Sequence, residues 1–317
     1  LLARIYLNAE VYTGTAQWAK AAEYAKKVMD SGYELFTNNG AYEGSVGWSA
    51  YQMLFMGNND ENGAQIEGIF PVLQDGIETT SWGTTLFLMA STFKADMTMV
   101  GTATNGTSEY WGGNRARPEL IAKFFSQPDE NALQLDVWDM VDKAGDDRAL
   151  FWGKDRKLNN ETTTEFTDGF SICKFTNFYS NDGSPKDPKF PDADFFLMRT
   201  AEAYLTYAEA QTRINGGTAP SDALEALNAI RTRAHAATKA SYTLEEICDE
   251  WSREFYYEGR RRSDLIRFGY FGGNNSYKWQ WKGGVYAGAN FDSHLNIFAI
   301  PDDDMNANSN LVQNPGY

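Results

Sequence analysis

Two cysteines and two histidines among 317 residues leave little room for chemistry built on thiols or imidazoles. Cys173 and Cys248 match no metal-ligand or disulfide-framework spacing, and a pair this small does not reveal a redox compartment. His235 and His294 stand apart, and the chain has no H-E-x-x-H, no G-x-S-x-G and no phosphate-binding loop. Basic charge is also scarce: 28 Lys and Arg against 43 Asp and Glu give a net charge of -15. The one tight basic run, Arg260 to Arg262, merely interrupts a helical segment, so binding to a phosphate backbone is excluded as a working idea. No apolar run approaches the roughly 18 to 20 residues that cross a bilayer as a helix. With 42% hydrophobic residues the chain can still bury a sizeable core.

What is present is a repeated helical pattern. Leu2, Ile5, Tyr6 and Ala9 fall on one helical face, and Trp18, Ala21, Ala22, Ala25 and Met29 fall on another. The short Tyr-Thr-Gly-Thr link between them predicts two antiparallel helices, with Thr15 as N-cap and Gly32 as a left-handed C-terminal stop. Leu197, Ala201, Tyr204, Leu205 and Ala208 repeat the logic. A break at Gly216-Gly217 and a cap at Ser221 follow, then Ala223, Leu227, Ile230 and Ala234. Alanine at close-packing positions is the mark of tetratricopeptide-like hairpins, which bury their faces by stacking on neighbours. Two copies are evident where about three make a stable stack. The start at Leu1, inside an amphipathic helix and without Met, leads to the expectation that upstream sequence supplies the others.

A third helical segment opens with a capping box, Thr243 and Glu246, and buries Leu244, Ile247, Cys248, Trp251 and Phe255. It is expected to run on through Glu258-Gly259-Arg260 towards Asp264-Leu265. Its charges, among them Arg253, Glu254, Glu258 and Arg260, alternate at near-helical spacing and predict an ion-pair network rather than catalysis. Between about Phe36 and Phe195 the periodicity fades into Gly, Asn, Thr and Trp. Residues 65–73 read as a short strand and Pro118 to Phe125 as a short helix. A stretch this long is expected to be an ordered binding region. The fold class is therefore mainly α: tetratricopeptide-like hairpins with a long loop-rich insertion carrying short strands and helices. One domain over 1–317 is expected, divided into a hairpin (1–35), a loop-rich lobe (36–195) and a second hairpin with a charged helix pair and C-terminal segment (196–317).

Three stretches carry a resemblance. Phe196 to Ala210, Phe-Leu-Met-Arg-Thr-Ala-Glu-Ala-Tyr-Leu-Thr-Tyr-Ala-Glu-Ala, resembles the signature helix of the SusD/RagB family, cell-surface glycan-binding lipoproteins of Bacteroidetes. Glu250 to Arg267 is similar to that family's charged helix pair, with Trp251-Ser252 as a departure, and Ile300 to Tyr317 to its closing segment. The resemblance covers nearly the whole chain. It implies a non-catalytic protein on the outer-membrane surface, held by an N-terminal lipid anchor absent from this chain. It also implies delivery of oligosaccharide to a SusC-like TonB-dependent transporter.

A sugar ring offers an apolar C–H face and a rim of hydroxyls, so its site needs flat aromatic rings and a few fixed polar partners. Tyr6, Trp18, Tyr24, Tyr204 and Tyr207 lie on helices and are expected to pack. Trp48, Trp82, Tyr110, Trp111, Trp152, Trp279 and Trp281 lie in polar, glycine-containing surroundings, where burial and binding are both open. Trp82, Tyr110 and Trp111 are the preferred platform, because aromatics on comparable loops of starch-binding members follow the bend of an α-glucan. Asn114 and Arg115 would supply hydroxyl contacts, a salt bridge being the other reading for Arg115.

Asn58, Asp60 and Asn62 alternate before Gly63 like the opening of a calcium loop, but the twelfth position is Ile69, which rules out an EF-hand; an Asx-rich turn is the alternative. The resemblance implies a calcium nearby, with Gln74 or Asp75 completing the oxygen shell. No cofactor is required, and calcium would be structural. Two other functions stay open on sequence alone. One is a glycoside hydrolase using a carboxylate pair; the other is a protein-interaction scaffold on the hairpins.

Overall fold

The structure is a computed structural model and describes residues 1–37, 40–41, 44–162 and 164–317. It parts into two compact units, Leu1–Glu258 and Gly259–Tyr317.

The first unit starts with α1 (Leu2–Leu7) and α2 (Ala9–Thr13), interrupted at Asn8, whose amide donates back to the Arg4 carbonyl at 2.9 Å. Next comes α3 (Trp18–Met29), which buries Ala21, Ala22 and Ala25. Its expected caps differ. Gln17, not Thr15, stands at the N-terminus, without a side-chain capping bond; Asp30 ends the helix, and Gly14, not Gly32, takes the left-handed conformation. The lobe that follows holds α4 (Ala50–Met53), β1 (Gly68–Val72), α5 (Thr84–Ala90), α6 (Pro118–Ile121) and α7 (Val137–Ala144). It closes with β2 (Phe151–Trp152), β3 (Ser171–Ile172) and β4 (Phe195–Arg199). Then come α8 (Thr200–Ile214), α9 (Ser221–Arg233) and α10 (Leu244–Phe255). Ser221 is the first helical residue of α9 rather than its cap, a place held by Pro220; the Thr243–Glu246 capping box on α10 forms as expected.

Helix α1 packs on α3, α3 on α8, and α8 on α9. The two hairpins are thus one stack, and small alanines such as Ala25, Ala201 and Ala208, all fully buried, let the axes approach. The chain is mainly helical with a few short strands, as the pattern of hydrophobic residues implies. Antiparallel pairing of β1 with β4, Gly68 opposite Arg199 and Val72 opposite Phe195, draws both ends of the lobe onto the start of α8. The lobe has its own core, in which Tyr51, Phe55, Phe93 and Phe175 are sealed from water.

The charges of α10 do not merely alternate along their own helix. Arg199, fully buried at the β4–α8 junction, donates through Nη1 to Glu67 Oε1 at 2.9 Å and to Glu254 Oε1 at 2.6 Å, and through Nε and Nη2 to Glu258 at 2.9 Å each. Arg233 of α9 reaches Glu67 Oε2 at 2.7 Å and also Glu254. Arg148 reaches Asp146, Glu250 and Glu254, and Lys174 reaches Glu258 at 2.6 Å. The helix does not run on towards Glu258-Gly259-Arg260 as expected: it ends at Phe255, where Tyr256 turns to φ -58°, ψ 145° and Tyr257 to φ 63°. In the second unit, α11 (Arg261–Arg267) holds an internal Arg267–Asp264 pair, and α12 (Asp302–Ala307) lies near the C-terminus.

Acid should dismantle the network. Burial alone would push the Glu250 carboxyl up, but Arg148, Arg253 and Arg231 outweigh it and hold it at about 2, against an ordinary 4.5. Glu254 is depressed likewise, Arg233, Arg199 and Arg148 overcoming its burial. These carboxyls bind protons less readily folded than unfolded, so their stabilisation is complete above pH 4.5 and is lost as pH falls from there towards 2. Thermal melts should show Tm dropping steadily across that interval; a Tm unchanged down to about pH 3 would contradict the assignment.

Candidate functional site

Burial divides the loop tryptophans. Trp48 is 4% exposed, with its ring stacked against Phe178 at 5.9 Å, and Trp152 is 5% exposed; both belong to the core and leave the candidate site. Trp82 is 56% exposed, Trp111 43% and Tyr110 38%. The Trp82 and Trp111 rings lie 6.1 Å apart with planes inclined by 32°, so two loops distant in sequence present one bent aromatic surface. In the second unit, Trp279 and Trp281 are half-buried and ring-packed, on Phe271 at 6.0 Å and on Tyr286 at 5.8 Å respectively.

Local hydrogen bonding explains how the rings are presented. The Asp75 carboxylate accepts the N–H groups of Ile77 and Glu78 at 2.9 and 3.0 Å and pairs with Lys186 at 2.6 Å, which folds the loop ahead of Trp82. Thr84 follows it at φ 54°, a conformation costly for a β-branched residue, and its hydroxyl donates to Gln74 Oε1 at 2.8 Å. Opposite, the backbone N–H groups of Trp111, Gly112 and Asn114 donate to the carbonyls of Ala90, Phe93 and Ser91 at 2.8, 3.0 and 2.8 Å. Those carbonyls lie at the C-terminal end of α5, where helical partners run out. Gly112 carries φ 68°, and a Cβ there would press on the Phe166 ring at 3.1 Å, so glycine is required twice over.

Residues outside the sequence-derived set complete the surface. The Trp111 indole N–H donates to Glu109 Oε2 at 2.7 Å; Glu109 Oε1 lies 3.7 Å from Lys189 Nζ, and that ammonium sits 5.1 Å from the Trp82 ring centre. Phe190 meets Trp82 edge-on at 5.6 Å, and Phe87, 47% exposed, lies 6.5 Å from Trp111. Phe87, on α5, and Lys189 carry no sign in the sequence of this meeting with loops far along the chain.

The expected polar partners are largely engaged. Asn114 Nδ2 donates to the Ser91 hydroxyl at 3.0 Å and to the Tyr257 hydroxyl at 3.3 Å, so its amide N–H groups brace the loop. Arg115 donates to the Glu165 carbonyl at 2.8 Å, with its guanidinium 5.9 Å from the Phe166 ring centre; among the described residues it is paired with no carboxylate, the other reading.

The calcium-loop residues are also mostly engaged. Asn58 Oδ1 accepts the Ser180 N–H at 3.1 Å, Asn62 Oδ1 accepts the Ala64 N–H at 3.0 Å, and both side chains are buried. The Asn62 contact is an Asx turn, whereas that of Asn58 ties the loop to a segment far along the chain. Gln74 Oε1 and both Asp75 oxygens have the partners already described. Asp60 is exposed and lies close enough to Asp194 to matter electrostatically. Burial raises Asp194, the Gln74 N–H opposes, and the Asp60 charge adds to the rise, leaving the carboxyl at about 6. Among the described residues no group of three or more His, Cys, Asp or Glu side chains gathers as a metal site.

Comparison with known proteins places this geometry in context. A model of the SusD family matches residues 93–317. The whole chain is similar to the starch-binding protein SusD of Bacteroides thetaiotaomicron, 42% identical over 349 aligned residues that make up 59% of that protein. Among solved structures, a SusD superfamily protein from Parabacteroides distasonis superposes with a TM-score of 0.62 at 18% identity, covering all of this chain and 61% of that one. Surface glycan-binding protein A from Bacteroides thetaiotaomicron, in complex with laminarihexaose, gives 0.60 at 21% identity, covering 99% and 62%. The chain spans about three-fifths of the length of these relatives.

The bracing role of Asn114 is testable. Asn114→Ala removes two hydrogen bonds and should lower unfolding stability by about 1 to 2 kcal/mol. Affinity of the remaining folded protein for oligosaccharide should stay within a few-fold. A large loss of affinity at unchanged stability would place Asn114 in contact with ligand instead.

Proposed function

Because the chain belongs to the SusD family, we propose that it captures oligosaccharide on the Trp82–Trp111 surface without cutting it, at the cell surface, for a TonB-dependent outer-membrane transporter. One observation carries the reading. Two half-exposed indoles, from loops about thirty residues apart, are brought to 6.1 Å and held at an inclination of 32°. Leaving such rings in water is unfavourable, and covering them with the C–H face of a sugar recovers that free energy with no change in the protein. Tyr110 and Phe87 extend the apolar area, with Glu109 and Lys189 paired at its border.

The ligand reading is an α-glucan. It is supported by the 42% identity to a protein named for starch and by the inclination of the rings, which suits a bent chain better than a straight one. A structural neighbour solved with laminarihexaose shows that fold likeness alone does not select linkage. Membership of the family supports the outer-membrane location and the transporter partnership; no described helix is long and apolar enough to cross a membrane.

A structural calcium belongs to the same proposal, with a changed ligand set. Asn58, Asn62, Gln74 and Asp75 already have protein partners, so the cation would sit at the exposed Asp60, whose charge adds to the burial-driven rise of Asp194; Asp194 itself accepts the Gln74 N–H at 2.7 Å. A calcium would ionise Asp194 and stiffen the segment that follows β1. Addition of calcium after chelation should raise Tm by several degrees, and Asp60→Asn should abolish the rise; an unchanged Tm in the parent protein would remove calcium from the account.

The binding reading has its own test. In affinity gels and calorimetry with maltohexaose, Trp111→Ala should weaken binding by about 1 to 3 kcal/mol, taking base-on-aromatic stacking as the guide, with the fold intact. Release of reducing sugar by the parent protein would instead mean a hydrolase.

A further inference from the structure

We propose that Glu109 is a positioning residue that fixes the inclination of the two indoles and thereby selects for the curvature of the bound oligosaccharide. This deepens the binding reading and rests on it. An exposed tryptophan turns about its side-chain bonds unless something holds it, and a platform that turns freely accommodates bent and straight chains alike. Here one carboxylate reaches Trp111 directly and Trp82 through Lys189. Its Oε2 accepts the Trp111 indole N–H at 2.7 Å, a charge-assisted bond, and its Oε1 faces the Lys189 ammonium at 3.7 Å. That ammonium lies over the Trp82 ring, 5.1 Å from its centre.

The carboxylate is itself fixed. The Glu109 backbone N–H donates to the Thr107 hydroxyl at 3.1 Å, and its carbonyl accepts from Asn105 Nδ2 at 3.1 Å, Asn105 being fully buried. Lys189 is brought near because the Ser108 N–H donates to the Pro188 carbonyl at 2.7 Å, and because Asp187 Oδ1 accepts the N–H groups of Lys189 and Phe190 at 2.8 and 2.9 Å. Glu109 therefore ties the loop of Trp111 to that of Lys189, whose ammonium lies over Trp82. Its side chain is 20% exposed, too covered to swing freely.

The test compares binding of maltohexaose, laminarihexaose and cellohexaose, chains of the same sugar that bend to different degrees, by calorimetry. The parent protein should separate its best and worst hexaose by at least about tenfold. Glu109→Ala should bring that ratio close to one with Tm within a degree or two, mainly by losing affinity for the preferred chain. Glu109→Gln, whose amide oxygen still accepts the indole N–H, should restore most of the ratio. A purely structural role would lower Tm and all three affinities together, leaving the ratio unchanged, and would overturn the proposal. Trp111→Ala separates the two levels of the argument. If it abolishes binding while Glu109→Ala keeps the ratio, only the positioning role fails; if it binds all three like the parent, the binding surface itself is wrong.

Discussion

The buried ionic lattice around Arg199 is the constraint on which the rest of the first unit depends. Arg199 closes strand β4, opens α8, and meets carboxylates from residue 67 ahead of β1 and from residues 254 and 258 at the end of α10. Placing so many charges away from water is expensive, and such a lattice is no more stable than well-packed apolar residues of the same volume. What it provides is uniqueness of arrangement: removing one member strands its partners in low dielectric, at about 3 to 5 kcal/mol. Lys174 marks the strain of this environment, since burial outweighs Glu258 and lowers its ammonium to about 8. The lattice joins hairpins to lobe because its cations come from both, Arg148 and Lys174 from the lobe and Arg231 and Arg233 from α9.

From that junction, order passes outward to the site. Pairing of β1 with β4 fixes where residues 73 and 74 emerge, and Asn59 stitches the next layer, exchanging hydrogen bonds of 2.8 and 2.9 Å with the backbone of Asp194. Gln74 then holds Thr84 beyond Trp82, while the end of α5 holds Trp111. Each ring is positioned by backbone-directed bonds before any ligand arrives. A surface ordered in advance loses little conformational freedom on binding, which is how shallow contacts suffice for capture.

The helical frame was legible because alanine and leucine at helical spacing record close packing directly. Its ends were less so: Thr15, Gly32 and Ser221 are sound capping residues, yet neighbouring backbone geometry assigned those places to Gln17, Asp30 and Pro220. The network around α10 was visible as alternating charge, but its partners, Glu67, Arg148, Arg199 and Arg233, come from elsewhere in the chain, and one helix cannot show that. For the site, Trp82, Tyr110 and Trp111 stood out as large rings among glycines and hydroxyls. Trp48 and Trp152 stood out equally and are core, since composition does not tell which face of a loop is inward. Glu109 and Lys189 became visible only when the loops were seen to meet.

The central claim is that a pre-ordered aromatic surface on a rigid frame holds sugar without rearrangement. Amide hydrogen exchange of the intact chain, with and without saturating maltohexaose, tests it most directly. The account predicts slower exchange confined to residues 79–84, 107–115 and 186–190, with 195–210 and 244–258 already slow and unchanged. Protection spread through the helical hairpins, or absent from the three loops, would contradict it.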